Sequence, residues 1–199
     1  MTDGHDKRAT LEVAQERSRN RSAAFIEALP PDIDAADDRI EGELARQNAA
    51  PRSKLVKILR LADAAMAYSA PYVACAKGCS ACCKMNVTIS SIEADRLAAA
   101  SGRRAATLNR PIVHDLAEFN GVPCPFLVGD VCSVYEVRPF ACRTHMSFDT
   151  DSYWCQPERA LLAAMQQFRP EGAITAYRTL VAGSRLGGTA DIRDFFPAK

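Results

Sequence analysis

Apolar residues recur at helical spacing along most of this chain and alternate in only one short stretch, which predicts a mainly α-helical protein. After a polar stretch at 1–6 that reads as a frayed tail, Leu11, Val13, Ala14, Phe25, Ile26 and Leu29 predict a moderately amphipathic helix from Lys7 to Leu29. Pro30-Pro31 stops it, because proline lacks an amide donor and restricts the residue before it. The acidic run Asp32 to Asp38 opens a second helix and reads as a solvated face that suits the positive end of a helix dipole. Pro51 interrupts or restarts that helix. The strongest period follows from Ser53 to Tyr68, where Leu55, Val56, Ile58, Leu59, Leu61, Ala62, Ala65 and Met66 form a broad stripe expected to pack on what comes next.

Pro71 ends that helix. Asn86-Val87-Thr88-Ile89 alternates and is β-branched, so it predicts a short extended segment. Ser90 and Glu93 then form a capping-box pattern ahead of a helix at 91–100, with Gly102 as its stop. Another helix is expected over 104–119, broken or begun at Pro111, with Ile112, Val113, Leu116 and Phe119 on one face and His114 beside it as a hydrogen-bonded residue. Gly129-Asp130 predicts a hairpin turn that brings Cys124 near Cys132, and a helical turn after Pro139 carries Cys142. Helices at about 157–168 and 171–182 follow, the second ending at Gly183. The pattern leaves open whether Phe195 and Phe196 dock.

Length and charge narrow the possibilities. A chain of 199 residues that is 48% hydrophobic can bury a real core, and a net charge of +1 gives no bulk argument for nucleic acid or an anionic membrane. No apolar run is long enough to span a bilayer and the first residues carry no leader-like apolar stretch, so the expected location is cytoplasmic. In that reducing setting eight cysteines are not expected to pair as disulfides, and metal ligation becomes their leading use.

Four of those thiols, Cys75, Cys79, Cys82 and Cys83, fall within nine residues, and Cys124, Cys132, Cys142 and Cys155 return downstream. Cys79 and Cys82 have the spacing that closes on one ion, across a turn that Gly78 and Ser80 favour. Neighbouring side chains point apart, so Cys83 is expected at a second centre or on the far side of a larger cluster, and Cys75 could reach either. His145, three residues after Cys142, could replace one sulfur, although a role beside the ligands is the plainer reading. Arg138 and Arg143 flank Cys142 and would offset thiolate charge or form salt bridges, for instance with Glu136.

The first cluster, Pro125 after Cys124, the segment Cys132, Tyr135, Glu136, and the segment Arg138, Pro139, Cys142, Arg143 together resemble the CxxCxxCC cysteine-cluster family, the YkgJ-like zinc- or iron-chelating proteins. The resemblance covers about residues 72–156 and implies that Cys75, Cys79, Cys82, Cys83, Cys124, Cys132 and Cys142 are metal ligands, with Cys155 a weaker transfer. This chain departs from the pattern in having three residues between Cys75 and Cys79. The implied cofactor is zinc or an iron–sulfur cluster, since both accept all-thiolate sites.

The family also resembles the cysteine-rich part of flagellin lysine N-methylase, which raises an iron–sulfur enzyme with methyl-transfer chemistry as an alternative. Cys75, Cys79 and Cys82 match the radical-enzyme spacing, but the chain lacks the repeated strand–helix alternation of that barrel. A third reading is a zinc-stapled module that binds a protein partner through its N-terminal helices. The expected organisation is a helical extension at 1–70, a metal-binding domain at 71–156 and C-terminal helices at 157–199 packed on it. In sum the fold is expected to be mainly α, with helices around an irregular cysteine-rich centre and one short hairpin.

Overall fold

The structure is a computed structural model that describes residues 3–76, 78–115, 117–159, 165–184 and 188–197. It is mainly α, as the periodicity predicts. Three helices open the chain: α1 (Asp3–Ala28), α2 (Pro31–Arg46) and α3 (Pro51–Met66). Pro31 and Pro51 each occupy a first turn, where the missing amide has no intrahelical partner to lose. α1 begins inside the stretch read as a frayed tail. Its buried stripe is Ala14, Ser18, Ser22 and Phe25, while Val13 and Ile26 face solvent. Two of those four positions are serine, so hydropathy alone misplaced the helix's inner face.

The first core forms where α2 and α3 meet α6 (Glu171–Ala182): Ile40, Leu44, Leu55, Ile58, Leu59, Ala62, Ala173 and Ala176 are all buried there. The approach is close. A Cβ on Gly172 would lie 1.8 Å from the Asp37 carbonyl oxygen, and the Asp37 carboxylate accepts the Gly172 and Ala173 amides at 2.9 and 2.8 Å. One member of the acidic run is therefore a half-buried cap on the first turn of another helix. Burial raises the Asp37 carboxyl above its ordinary value, and the two amides oppose that rise.

The second core is built on β1 (Thr88–Ser90) and α4 (Ser91–Ser101). The capping box is formed at both ends, and Gly102 closes the helix at a φ of 69°. A strand that no periodicity announced, β4 (Thr189–Asp191), pairs antiparallel with β1, placing Thr88 opposite Asp191. The turn of helix α7 (Ile192–Phe195) follows it, and Phe195 and Phe196 dock with Phe126 and Val134. A hairpin of β2 (Leu127–Val128) and β3 (Val131–Cys132) and the short helix α5 (Phe140–Thr144) complete this half. Positive φ at Gly129 and Asp130, 52° and 60°, gives the tight turn that the strand twist requires.

Two predicted helices are corrected. Residues 104–119 contain no helix among the described positions. Leu116 lies outside them, and the stretch is strapped to the C-terminal segment, with the Ala106 amide donating to Phe195 O and the Ile112 amide to Thr189 O. Pro111 denies the stretch a continuous helical ladder, and the long-range partners take its amides instead. Of the helix expected over 157–168, residues 160–164 lie outside the described residues, 157–159 form a turn, and 165–168 have no regular structure.

His114 does lie in hydrogen bonds, with Asp194 at 2.8 Å and Glu118 at 3.1 Å, and is remote from the thiols in its contacts. Asp194 first, and Glu118 after it, raise the imidazole above its ordinary 6.5. A raised folded value means that this contribution to stability is complete below about pH 6.5 and is lost as pH climbs through the raised value. An NMR titration is expected to place the His114 midpoint above 6.5 and to show it falling in Asp194→Asn; a midpoint that ignores that substitution would refute the pairing.

Candidate metal centre

The segment leaving α3 is short of regular structure and is held from outside. Arg21 of α1 donates to the carbonyls of Pro71 and Tyr72, and the Ala74 amide donates to Ser147 O at 2.9 Å. Gly78, with φ at 95°, turns the backbone so that the Cys79 amide reaches Ala76 O. A single 3₁₀ turn, Ala81–Lys84, then carries Cys82 and Cys83. The Cys124 amide donates to Cys83 O at 2.7 Å, Ser80 Oγ donates to Asp130 at 3.0 Å, and the hairpin brings Cys132 opposite Leu127. Cys142 sits in α5, and a second 3₁₀ turn, Tyr153–Cys155, carries Cys155.

All eight cysteines, distributed over five separate stretches of chain, line one cavity of about 120 Å³. That is roughly ten times the space one water molecule needs. All eight are free thiols, with Cys79 exposed and Cys155 buried. Among the described residues no group of three or more Cys, His, Asp or Glu side chains already stands as a finished ion site. Binding would therefore draw thiols in from the wall. The donor set fits zinc or iron, since each prefers sulfur and imidazole donors of this kind.

The thiols fall into two neighbourhoods. Cys124, Cys132 and Cys142 pack on the second core, and Cys83 is tied to them through the Cys124 amide. Cys75 belongs to a third core, formed by Phe25, Val73, Met146 and Phe148, and its sulfur accepts the Ser147 amide at 3.3 Å. The Cys155 sulfur lies 3.6 Å from His145 Nε2. Cys82 stands between, hydrogen-bonded to Cys83 and near both Cys142 and Cys155.

Protonation follows this geometry. The Cys82 thiol donates to the Cys83 sulfur, which holds Cys83 down to about 7 and drives Cys82 up; Arg193 and Lys84 add to the lowering at Cys83. Burial pushes Cys124 up to about 11 and Cys155 up to about 12, and raises Cys75, Cys132 and Cys142 as well. These sulfurs stay protonated near neutrality unless a cation supplies what water no longer can. Burial also lowers His145, leaving its imidazole neutral and able to ligate.

The two arginines beside Cys142 have different fates. Arg138 lines the cavity with its guanidinium 3.8 Å from the Tyr135 ring centre. Arg143 is buried and turned away, donating to Asp63 and to the carbonyls of Arg138 and Glu136, so it braces α5 against α3 and does not line the cavity. Among the described residues Arg138 and His145 thus share the cavity wall without Arg143. The arginine that sequence reasoning missed is Arg193, which ties the cysteine loop to the C-terminal strand through Cys83 O, Met85 O and Val122 O and pairs with Asp191 at 2.8 Å. Nothing in the spacing of 189–196 signals this, because Arg193 stands about 110 residues from the loop it holds.

Residues 74–158 match the sequence model of the CxxCxxCC family, whose description reads "Putative zinc- or iron-chelating domain". The resemblance read from the motifs is thereby borne out over that stretch. No curated protein and no solved structure matches the chain.

Proposed function

We propose that this chain, whose residues 74–158 match a zinc- or iron-chelating domain, is a cytosolic protein that holds zinc or an iron–sulfur cluster through its cysteine cluster. The observation that carries the reading is the single cavity lined by all eight thiols. Packing alone gives no reason for five remote stretches to point every cysteine of a chain at the same space. The cavity's size and its two thiol neighbourhoods support a centre of more than one metal ion. Arg138 and Arg193 supply positive charge beside it, against the negative excess that several thiolates create.

A bound metal would supply either closed structural coordination or, as a cluster, one-electron chemistry. The chain's own part is to exclude water, orient the sulfurs and release their protons. Exposed Cys79 favours a second reading, an iron–sulfur enzyme acting on a substrate at that side of the cavity, with methyl transfer the chemistry suggested by resemblance.

The test is a visible absorption spectrum with zinc, iron and sulfide analysis on protein purified without oxygen. Broad visible absorbance with iron and sulfide would establish a cluster, and a colourless protein with about two zinc ions would establish paired structural sites. Stripping the metal with a chelator is expected to lower the unfolding temperature and expose the 71–84 loop to protease, because that loop has, among its described residues, no helix or strand beyond one turn. Full thiol titration, no metal and unchanged stability in chelator would reject the proposal.

A further inference from the structure

Resting on that reading, we propose that His145 is a metal ligand, and that its imidazole completes a site with Cys75, Cys79 and Cys155 distinct from the site of Cys83, Cys124, Cys132 and Cys142. Sequence proximity would group His145 with Cys142, three residues before it. The structure separates them, because α5 ends at Thr144 and the chain turns extended at His145. The ring then enters the cavity on the side of Cys155, with Nε2 3.6 Å from that sulfur.

Three independent contacts hold this side together. The Ala74 amide donates to Ser147 O, the Ser147 amide donates to the Cys75 sulfur at 3.3 Å, and the Cys75 sulfur lies 4.0 Å from the His145 carbonyl. Residues 74–75 and 145–147 thus run side by side, and the 3₁₀ turn at Tyr153–Cys155 carries the Cys155 sulfur that meets the His145 ring. The hydrophobic packing divides along the same line. Cys75 packs with Phe25, Met146 and Phe148, whereas Cys124, Cys132 and Cys142 pack with Phe126 and Phe195. Cys79 joins the first group by its place: its amide donates to Ala76 O, next to Cys75, at 3.0 Å, and its charge is felt at both Cys75 and Cys155.

Three thiols and one neutral imidazole make a complete tetrahedral set for a divalent ion. On binding, three sulfurs release protons to solvent and the imidazole releases none, which leaves the site with one negative charge in excess. Arg138, the guanidinium that favours the charged form of Cys75, offsets it. Cys83, Cys124, Cys132 and Cys142 form an all-thiolate partner site, and Cys82, hydrogen-bonded to Cys83 and near both Cys142 and Cys155, stands between the two sites as the eighth thiol.

The experiment uses the full-length, reduced, metal-stripped chain titrated anaerobically with Co²⁺, read by charge-transfer and d–d absorbance and by metal analysis. Wild-type protein is expected to take up two equivalents with distinct spectra, one mixed sulfur–nitrogen and one all-sulfur. His145→Gln is expected to weaken one equivalent by more than the roughly 100-fold that loss of an outer partner costs, and Cys155→Ser to weaken the same one. Cys124→Ser would weaken the other. His145→Cys should restore two equivalents with two all-sulfur spectra, a rescue that a merely structural role would not give.

If wild-type protein takes up no Co²⁺, the metal-binding reading itself fails. If it binds and His145→Gln binds as many ions with the same spectra, the assignment of His145 alone is overturned. Should the variants lose helical circular dichroism, the NMR spectrum of Co²⁺-loaded wild type decides: a strongly shifted exchangeable imidazole N–H supports ligation, and its absence refutes it.

Discussion

Replacing Arg193 by methionine is expected to destabilise the fold by about 3–5 kcal/mol, the usual result of leaving one charge of a buried pair alone. Arg193 and Asp191 are 8% and 3% exposed, so solvent cannot take over for the missing partner. The guanidinium also donates to Cys83 O, Met85 O and Val122 O, three carbonyls on the two strands of chain that bring Cys83 to Cys124. Metal retention should fall together with stability, because the cysteine loop loses its anchor to β4 and α7. Arg193→Lys keeps the charge but cannot fork across several acceptors, and should land between wild type and methionine. Denaturant midpoints and metal-to-protein ratios check this. A methionine variant within about 1 kcal/mol of wild type and fully loaded would remove Arg193 from the account.

Glu93→Ala is expected to cost on the order of 4 kcal/mol, at the upper end of single substitutions. The carboxylate is 2% exposed. It accepts from the Ser90 amide and hydroxyl at 2.9 Å each, from the Phe140 amide at 2.7 Å, and from the Tyr177 hydroxyl. One side chain thus caps its own helix α4, caps the first turn of α5, and reaches α6. Alanine would strand these buried donors. Tyr177→Phe removes one donor together with its partner bond and should cost only about 1 kcal/mol. The double variant should be less destabilised than the sum of the two, since the interaction can be lost once only. Additive losses would show that Glu93 and Tyr177 act separately. Because Phe140 opens the helix that carries Cys142, Glu93→Ala should also loosen metal binding, whereas Tyr177→Phe should not.

Glu93 shows how far local reading reaches. The Ser90–Glu93 box is legible because both partners lie on one turn, and its geometry is formed as expected. The Phe140 and Tyr177 bonds to the same carboxylate span 47 and 84 residues, and no local pattern encodes them. The same division explains why no helix forms among the described residues of 104–119. The stretch 104–119 has apolar residues at helical spacing, but its amides bond Phe195 O and Thr189 O, so a distant strap outcompetes a helix weakened by Pro111.

By itself the sequence determined the mainly helical class, the proline-set starts of α2 and α3, the capped α4, the hairpin before Cys132 and the family of the cysteine region. These follow from propensity, from turn chemistry and from motifs short enough to be read without the fold. Tertiary structure alone decided that all eight thiols line one cavity, that Arg193 and not Arg143 secures their loop, and that His145 faces Cys155. The physical reason is that a buried polar group takes whichever partner the packed core leaves within reach, and that partner is set by contacts across the whole chain.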